Sequence, residues 1–339
     1  MYKNISFDYP LFLEKTNEVG SKVQKYFIKT LYENLENVEL IVIYNFLKSY
    51  WFDSFRSSII WFSNKIVGGI PEKTVKLSLV MSLAGSGLGI HDDIIDKTSL
   101  KGQRKTIQEL FGLELALVAG DLLIIKGLMS SLLWYDEYDR KTRNLLVNVL
   151  NDYFIEMAIA EVLEIRSNKR IDMDVEKQMN LLRKLGVDVE TCAKLGAISG
   201  GGNNEEINAL TYFGSAVGYI NRMNEEINDV INNKNRLKER IRYESIPFAL
   251  LYAAQKSEVN YKIINGIISN NIINDLQYNK LLKIINESMA IEFIKKEIVK
   301  IYYEAKKGLD IFPESDSKKM LTWCLYYIKN KNDIILGTK

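Results

Sequence analysis

The sequence predicts an all-α fold, because apolar residues recur at helical spacing, proline is rare and strand-like patterns are missing. Leu110, Leu113 and Leu117 illustrate the spacing, which places them on one face of a helix. No stretch shows the sustained alternation of apolar and polar residues that is typical of a half-buried strand. The four prolines, at positions 10, 71, 247 and 313, leave long uninterrupted stretches that favour helices.

Glycine- and proline-containing segments mark where successive helices are expected to end. Proline cannot continue a helix, and glycine adopts turn conformations readily. The expected breaks lie at 68–71, 101–102, 199–204, 245–247 and 312–313, and they separate about ten helices. No Ser/Gly-rich linker, low-complexity run or repeat marks a domain boundary, so residues 1–339 are expected to form a single domain.

The composition of the chain indicates which kinds of binding partner and which cellular compartment to expect. With 45 basic and 43 acidic residues, the net charge of +2 provides no general field for nucleic acid, so none is expected as a partner. The longest uncharged apolar stretch, 77–90, is shorter than the roughly 20 residues that a membrane span needs. Peripheral membrane contact for release of an apolar product remains compatible with the sequence. Two cysteines and the absence of a secretory pattern in residues 1–20 favour the cytoplasm.

Two acidic clusters of the same shape lie 133 residues apart. Their members are Asp92, Asp93 and Asp96 in the first, and Glu225, Glu226 and Asp229 in the second. In each, carboxylates at positions i, i+1 and i+4 lie near one another on a helix, where like charges destabilise it unless a cation lies between them. Each cluster follows an apolar helical segment, a position that can face a deep cavity in a helical bundle.

This arrangement suits diphosphate chemistry with Mg²⁺. Carboxylate oxygens can hold two or three Mg²⁺ ions, with Mn²⁺ as an alternative, while water and substrate phosphates complete the coordination. The ions would neutralise a leaving diphosphate, and an apolar cavity would shelter the resulting carbocation. The alternative for either cluster alone is an ordinary solvated helix face, and the second cluster is the weaker of the two.

Basic residues follow the clusters where a diphosphate would need them. Lys101 and Arg104 lie in a Gly-containing loop after the first cluster, and Lys194 lies in a later apolar segment. Arginine suits bidentate phosphate contact and lysine suits point-charge contact, although each residue alone could be a solvated surface charge. His91 is the only histidine, which excludes a multi-histidine zinc site and favours a packing role for it. The glycines at 200–202 are interpreted as a flexible loop.

The order and spacing of three motifs resemble trans-isoprenyl diphosphate synthases of the polyprenyl synthetase family. The motifs are His91-Asp-Asp-Ile-Ile-Asp96, Lys101-Gly102-Gln-Arg104-Lys-Thr106 and Ala119-Gly120-Asp121. The resemblance covers nearly the whole chain. It implies a single large helical bundle around a deep central cavity, where an allylic diphosphate ionises and isopentenyl diphosphate attacks the cation. It also implies a homodimer.

The same resemblance assigns roles to individual residues. It implies that Asp92, Asp96 and Glu225 bind metal directly. It implies that Asp93, Glu226 and Asp229 support them, Glu226 and Asp229 as part of the metal-binding set. It also implies that Asp92, Asp93 and Asp96 are catalytic. It further implies that Lys101 and Lys194 contact the allylic diphosphate, with Lys194 also catalytic. The remaining substrate-binding candidates are Arg56, Arg104 and Lys238.

The chain departs from the family pattern at several of these positions. The family's first basic motif falls at 53–57, where Asp53 replaces its lysine and only Arg56 survives. Gly85 stands where a histidine is usual, seven residues before Asp92, so two expected contacts to isopentenyl diphosphate are missing. Glutamates at 225 and 226 replace aspartates, which changes the reach of the carboxylates.

Three functions are therefore weighed. The first is a prenyl-chain-elongating synthase, whose product is expected to be C20 (geranylgeranyl diphosphate) or longer, because Gly87 and Ala84 upstream of Asp92 are small. The second is a terpene cyclase-like lyase, or a prenyltransferase with another acceptor, that keeps the ionisation step. The third is a non-catalytic partner subunit of an active synthase.

Overall fold

The computed structural model describes residues 7–231, 234–270 and 273–331. These residues form sixteen α-helices, three 3₁₀-helices and one two-stranded hairpin, which confirms the all-α prediction. The chain divides into two compact units, the first within 1–149, 191–211 and 311–323 and the second within 150–190, 212–310 and from 324 onwards. The single domain expected over 1–339 stays a prediction.

The helices follow one another with short connections. In chain order they are α1 (Tyr9–Tyr32), α2 (Val38–Lys48), α3 (Ser54–Ile66), α4 (Thr74–Ile95), α5 (Ile107–Phe111), α6 (Leu113–Ser130), α7 (Arg140–Ser167), α8 (Val175–Leu185), α9 (Val187–Ser199), α10 (Asn204–Ile231), α11 (Lys234–Tyr243), α12 (Phe248–Lys256), α13 (Glu258–Ile268), α14 (Asp275–Glu287), α15 (Ala290–Gly308) and α16 (Asp316–Lys329). The 3₁₀-helices are Pro71–Lys73, Ser131–Glu137 and Leu309–Ile311.

More helices occur than the glycine and proline breaks indicated, because several begin at polar caps instead. The Ser257 hydroxyl accepts from the Val259 N–H at the start of α13. Asn274 and Gln277 form a reciprocal capping box at the start of α14. The break expected at 101–102 is the turn of the hairpin, where β1 (Leu100–Lys101) pairs antiparallel with β2 (Arg104–Lys105).

Helices α4 and α6 form the centre of the first unit. A Cβ on Gly87 would lie 2.5 Å from the Gly120 carbonyl oxygen, and one on Gly127 would lie 2.9 Å from the Ala84 nitrogen. Small residues therefore let the two helix backbones approach closely. Leu79 and Leu83 pack with α1 and α2 in the same core, so α4 is buried along most of its length.

In the second unit, α10 supplies a buried apolar face before its acidic end. Phe213, Val217, Ile220 and Met223 on this helix are inaccessible to solvent. A Cβ on Gly218 would lie 2.1 Å from the Gly186 carbonyl oxygen, so α10 lies directly against the end of α8. This contact fixes the position of α10 within the unit.

One helical stretch among the described residues is long and apolar enough to cross a membrane, judged by length and composition alone. It is Leu113–Trp134, and 33% of an 18-residue apolar window within it is buried inside the molecule. It consists of α6 and the start of the following 3₁₀-helix. The buried share is the face that packs against α4.

Candidate active site

The first acidic cluster forms the last turn of α4 in the first unit. The side chain of Asp92 is exposed, Asp93 is buried, and Asp96 is a half-buried C-cap residue whose N–H donates to the Asp92 carbonyl at 2.9 Å. Burial raises the pKa of Asp93, while the nearby ammonium of Lys101 acts in the opposite direction. The carboxylates accessible to a ligand in this cluster are thus those of Asp92 and Asp96.

Lys101 is the counter-charge of this cluster. Its Nζ lies 2.7 Å from Asp93 Oδ1 and 3.6 Å from Asp92 Oδ2. The sequence predicted Lys101 as a diphosphate ligand, and the structure brings it to the acidic cluster itself. About half of its side chain is exposed, so an anion can reach it from solvent.

The hairpin that carries Lys101 is anchored to the end of α4. The Thr98 N–H donates to the Asp93 carbonyl at 2.9 Å. In turn, the Thr98 carbonyl accepts from the Thr106 hydroxyl at 2.8 Å and from Gln108 Nε2 at 2.9 Å. These bonds join both ends of the loop, so the position of Lys101 is set by backbone contacts as well as by charge.

Arg104 stacks on aromatic rings. Its guanidinium carbon lies 3.5 Å from the centroid of Tyr50 and 5.9 Å from that of Phe46. Such cation–π contact stabilises one orientation of the guanidinium plane. Arg104 is therefore an oriented cation beside the first cluster's hairpin, and its contact with a diphosphate stays a prediction.

Arg56 is paired with Asp53, the residue that stands in place of the family's lysine. Arg56 Nε donates to Asp53 Oδ2 at 2.9 Å, and Nη2 lies 2.8 Å from the same oxygen. The other Asp53 oxygen caps α3 by accepting from the Arg56 N–H at 3.3 Å. Beyond the pair lies Gly85, where a Cβ would come within 2.7 Å of Arg56 Nη1. The two departures from the family pattern thus meet at one guanidinium.

Lys194 lies on α9, which packs closely on α3 within the first unit. A Cβ on Gly196 would lie 2.4 Å from the Ile60 carbonyl oxygen, so the helices are in backbone contact. The Lys194 side chain is half-buried. Within the part of the chain that the structure describes, it forms no ion pair, which leaves its charge available to an anionic ligand.

The second acidic cluster, at the end of α10 in the second unit, divides into an exposed and a buried part. Glu225 is the exposed member, with 44% of its side chain accessible. Asn221 Nδ2 donates to it at 2.8 Å and Arg222 Nη1 at 3.1 Å. Its carboxylate is thus held along the helix surface.

Glu226 and Asp229 turn inward to Arg240 on α11. Arg240 Nη2 lies 2.8 Å from Glu226 Oε1, and Nη1 donates to Asp229 Oδ2 at 3.3 Å. Glu226 also accepts from the Phe248 N–H at 2.7 Å. Only 5% of the Arg240 side chain and 3% of that of Glu226 are exposed, so this is a buried ion network.

The network extends through a second arginine. Arg236 Nη2 donates to Glu244 Oε2 at 2.8 Å, and its Nε lies 3.6 Å from Asp229 Oδ2. Burial raises the pKa of both Asp229 and Glu244, and the two guanidiniums oppose that shift. The sequence motifs did not indicate Arg236, Arg240 or Glu244. The only signal was their spacing of four residues on one helix face.

Lys238, also on α11, faces Asp275 at the start of α14. Its Nζ lies 3.6 Å from Asp275 Oδ1. Lys234 pairs with the same carboxylate. The predicted role of Lys238 in diphosphate binding stays a prediction.

His91 and the glycines at 200–202 were predicted to lie outside the chemistry of the site. His91 Nε2 lies 3.2 Å from Asp121 Oδ1, and its ring covers Gly120, as the packing interpretation expected. A Cβ on Gly200 would lie 2.5 Å from the Asn64 carbonyl oxygen, whereas one on Gly201 would meet nothing within 4 Å. The interpretation of 200–202 as a flexible loop stays a prediction.

The donor set suits a magnesium ion that shares its ligands with a substrate. Within residues 7–231, 234–270 and 273–331, no group of three or more His, Cys, Asp or Glu residues is placed to hold a metal by itself. Mg²⁺ does not need such a cage, because it is commonly held by one or two carboxylates together with water and phosphate oxygens. Asp92 and Asp96 supply accessible carboxylates of that kind.

Comparison with known proteins identifies the family. The model of the polyprenyl synthetase family matches residues 53–292. A short chain isoprenyl diphosphate synthase from Methanothermobacter thermautotrophicus is 23% identical over 275 residues, covering 78% of this chain and 82% of the relative. A geranylfarnesyl diphosphate synthase from Aeropyrum pernix is 24% identical over 277 residues, covering 78% and 85%.

Solved structures show the same fold. Geranylgeranyl pyrophosphate synthetase from Pyrococcus horikoshii has a TM-score of 0.84 at 19% identity, covering 95% of this chain and 98% of its own. A polyprenyl synthase from Caulobacter crescentus, crystallised with calcium and isoprenyl diphosphate, has a TM-score of 0.82 at 14% identity, covering 96% and 98%. Since the family model spans more than half of the sequence, the chain belongs to the polyprenyl synthetase family, as its motifs predicted.

Proposed function

We propose that the protein is a Mg²⁺-dependent prenyltransferase that condenses an allylic diphosphate with isopentenyl diphosphate. The observation that carries the proposal is the acidic end of α4, where exposed Asp92 adjoins Asp93 and Lys101 in a member of the polyprenyl synthetase family. Acidic and basic groups at one point can bind a cation and a diphosphate together. The Caulobacter relative's calcium and isoprenyl diphosphate support this pairing of ligands.

In the proposed mechanism, Asp92 and Asp96 would hold Mg²⁺ in the first unit, and Glu225 would hold it in the second. When bound, Mg²⁺ supplies charge neutralisation for the leaving diphosphate. Asp93 holds Lys101 in place, and Lys101 donates to the allylic diphosphate. Lys194 contributes a half-buried positive charge, with Arg104 and Lys238 as further diphosphate contacts.

Glu226 and Asp229 are assigned a supporting part in metal binding. Their contacts with Arg240 favour this assignment, because a carboxylate held by a buried guanidinium keeps one orientation. Glu225 is the most accessible of the three and is therefore assigned the direct contact.

A product of C20 or longer is proposed from the names of the relatives, which include geranylgeranyl and geranylfarnesyl diphosphate synthases. The small size of Gly87 and Ala84 has another cause, because both lie where α4 meets α6. They therefore carry no information on product length. Leu88, one turn before Asp92 on the same helix face, is the side chain best placed to limit chain growth.

A second candidate function keeps ionisation and changes the acceptor. The Asp53–Arg56 pair favours it, since the carboxylate neutralises the one cation retained from the family's first basic motif. A guanidinium that is paired with a carboxylate attracts a diphosphate less strongly than an unpaired guanidinium does. A terpene cyclase-like lyase or another-acceptor prenyltransferase would follow.

We also infer a homodimer that covers an apolar face formed by α6 and the 3₁₀-helix after it. Val118, Ile125 and Met129 on α6 and Leu132 in the 3₁₀-helix each expose more than half of their surface. Such a contiguous apolar face is unusual on a monomer. A second copy of the chain would bury it without requiring a membrane. Localisation in the cytoplasm is proposed on the two buried free cysteines.

One assay distinguishes these functions. Radiolabelled isopentenyl diphosphate is incubated with Mg²⁺ and C5, C10, C15 or C20 allylic diphosphates, and products are resolved by length. The leading proposal expects labelled products of C20 or longer. Hydrocarbon or alcohol released from farnesyl diphosphate without isopentenyl diphosphate would support the second candidate instead. Strict dependence on isopentenyl diphosphate would exclude it.

A further inference from the structure

The guanidinium of Arg56 is held between α3 and α4 in the first unit. Asp53 pairs with its Nε and Nη2 atoms, and its guanidinium carbon lies 5.6 Å from the Trp51 ring centroid. Trp51 is itself fixed to α4 by a hydrogen bond from Nε1 to the Ser82 hydroxyl at 3.2 Å. Only 17% of the Arg56 side chain is exposed, so its orientation is defined by these neighbours.

Gly85 completes this arrangement by having no side chain. The three atoms nearest to a Cβ built at this position are Nη1, Nη2 and the guanidinium carbon of Arg56, at 2.7, 2.9 and 3.1 Å. Gly87 on α4 and Gly127 on α6 have different neighbours. A Cβ on either would meet backbone atoms of the facing helix, so helix packing explains these two glycines. Only the guanidinium explains the glycine at 85.

Glycine in a helix interior is unfavourable relative to alanine, because it loses more conformational freedom on folding. Gly85 therefore accepts a cost in stability at a point where the three atoms nearest to a built Cβ all belong to one charged side chain. It also lies on the α4 face that carries Asp92, seven residues later. Folding stability does not explain a glycine at position 85. The function of the Arg56 guanidinium, which the glycine leaves room for, explains it better.

We propose that Gly85 is a positioning residue that lets Arg56, anchored by Asp53, lie flat on α4 and contact the diphosphate of the acceptor. This inference rests on the proposed function, isopentenyl diphosphate being the acceptor, and on Arg56 as a predicted substrate-binding residue. Any side chain at 85 would push the guanidinium away from α4 and misalign its donors. The glycine thus acts through Arg56 alone.

The test is a double-mutant cycle with Gly85→Ala, Arg56→Met and both together, with Gly266→Ala as the control. Gly266 lies near the end of α13, and a Cβ there meets nothing within 4 Å. Binding of isopentenyl diphosphate is measured by calorimetry without allylic substrate, and its KM by steady-state kinetics. Losing one well-aligned charged hydrogen bond weakens binding by about tenfold.

We expect Gly85→Ala to raise Kd and KM for isopentenyl diphosphate by about tenfold. The kcat and the KM of the allylic substrate should stay unchanged, and Tm should be equal or higher, because alanine favours a helix. Gly85→Ala should add nothing in the Arg56→Met background. An equal effect in that background would overturn the inference, as would no change in Kd with Gly85→Ala or Arg56→Met. Arg56-dependent binding without turnover would leave the inference standing and overturn the proposed function.

Discussion

The buried network around Arg240 predicts a large loss of stability for Arg240→Met. Methionine fills a similar volume but leaves Glu226 and Glu244, whose side chains are only 3% and 4% exposed, without the guanidinium that lies between them. Removing one partner of a buried ion pair costs about 3–5 kcal/mol, because the remaining charges stay desolvated. A chain of this length gains roughly 0.7 kcal/mol/K of unfolding entropy, so Tm should fall by about 4–7 °C.

Thermal unfolding followed by tryptophan fluorescence measures this change, with Arg170→Met as the matched control. Arg170 forms a comparable pair with Asp172, at 2.8 Å, but both side chains are more than half exposed. Its removal should leave Tm nearly unchanged, because solvent screens the pair. The additional change Glu226→Gln should restore part of the loss, since glutamine still accepts from the Phe248 N–H. Equal effects of Arg240→Met and Arg170→Met would refute the reasoning.

Three further predictions concern the proposed site and surface. Asp92→Asn and Asp96→Asn should each lower turnover by several orders of magnitude at unchanged Tm, because each removes a proposed metal ligand; near-normal activity of Asp96→Asn would contradict that assignment. Leu88→Trp should shorten the product and Leu88→Ala should lengthen it, as judged by chromatography of labelled products; identical product lengths would remove Leu88 from the cavity. Leu132→Glu should convert the proposed dimer to a monomer in light scattering, because a charge would enter its apolar face; an unchanged mass would place the interface elsewhere.

Local sequence pattern predicted the parts of the structure that depend on local physics. Helical periodicity and turn residues indicated the all-α fold and breaks near 199–204, 245–247 and 312–313. Ser257 and Asn274 are equally local signals, because each caps the start of a helix, but neither lies at a glycine or proline break. Those capped starts account for part of the difference in helix number.

Tertiary contacts explain why the rest of the candidate site could not be predicted. Spacing placed Glu226 on a helix face but could not identify its counter-charge, which comes from Arg240 on another helix. From the sequence, Gly85 was interpreted as the loss of a histidine. In the structure, the Arg56 side chain from α3 occupies the place of a side chain at position 85. Gly87 and Ala84 were interpreted as lining an open cavity, yet the partner that requires them is α6. In each case the deciding neighbour is distant in sequence.

The close contact between α4 and α6 has a consequence for how this protein can vary. On one edge of α4, Gly87 and Ala84 face another backbone, so almost any larger residue there would force the two helices apart. On the other edge, Met81 and Leu88 lie on the helix face that carries Asp92, away from that contact. Substitutions on the face of α4 that carries Asp92 can thus change ligand preference, while the face in contact with α6 keeps the packing of the two helices unchanged. Changes in acceptor or product length should therefore accumulate along a single stripe of α4.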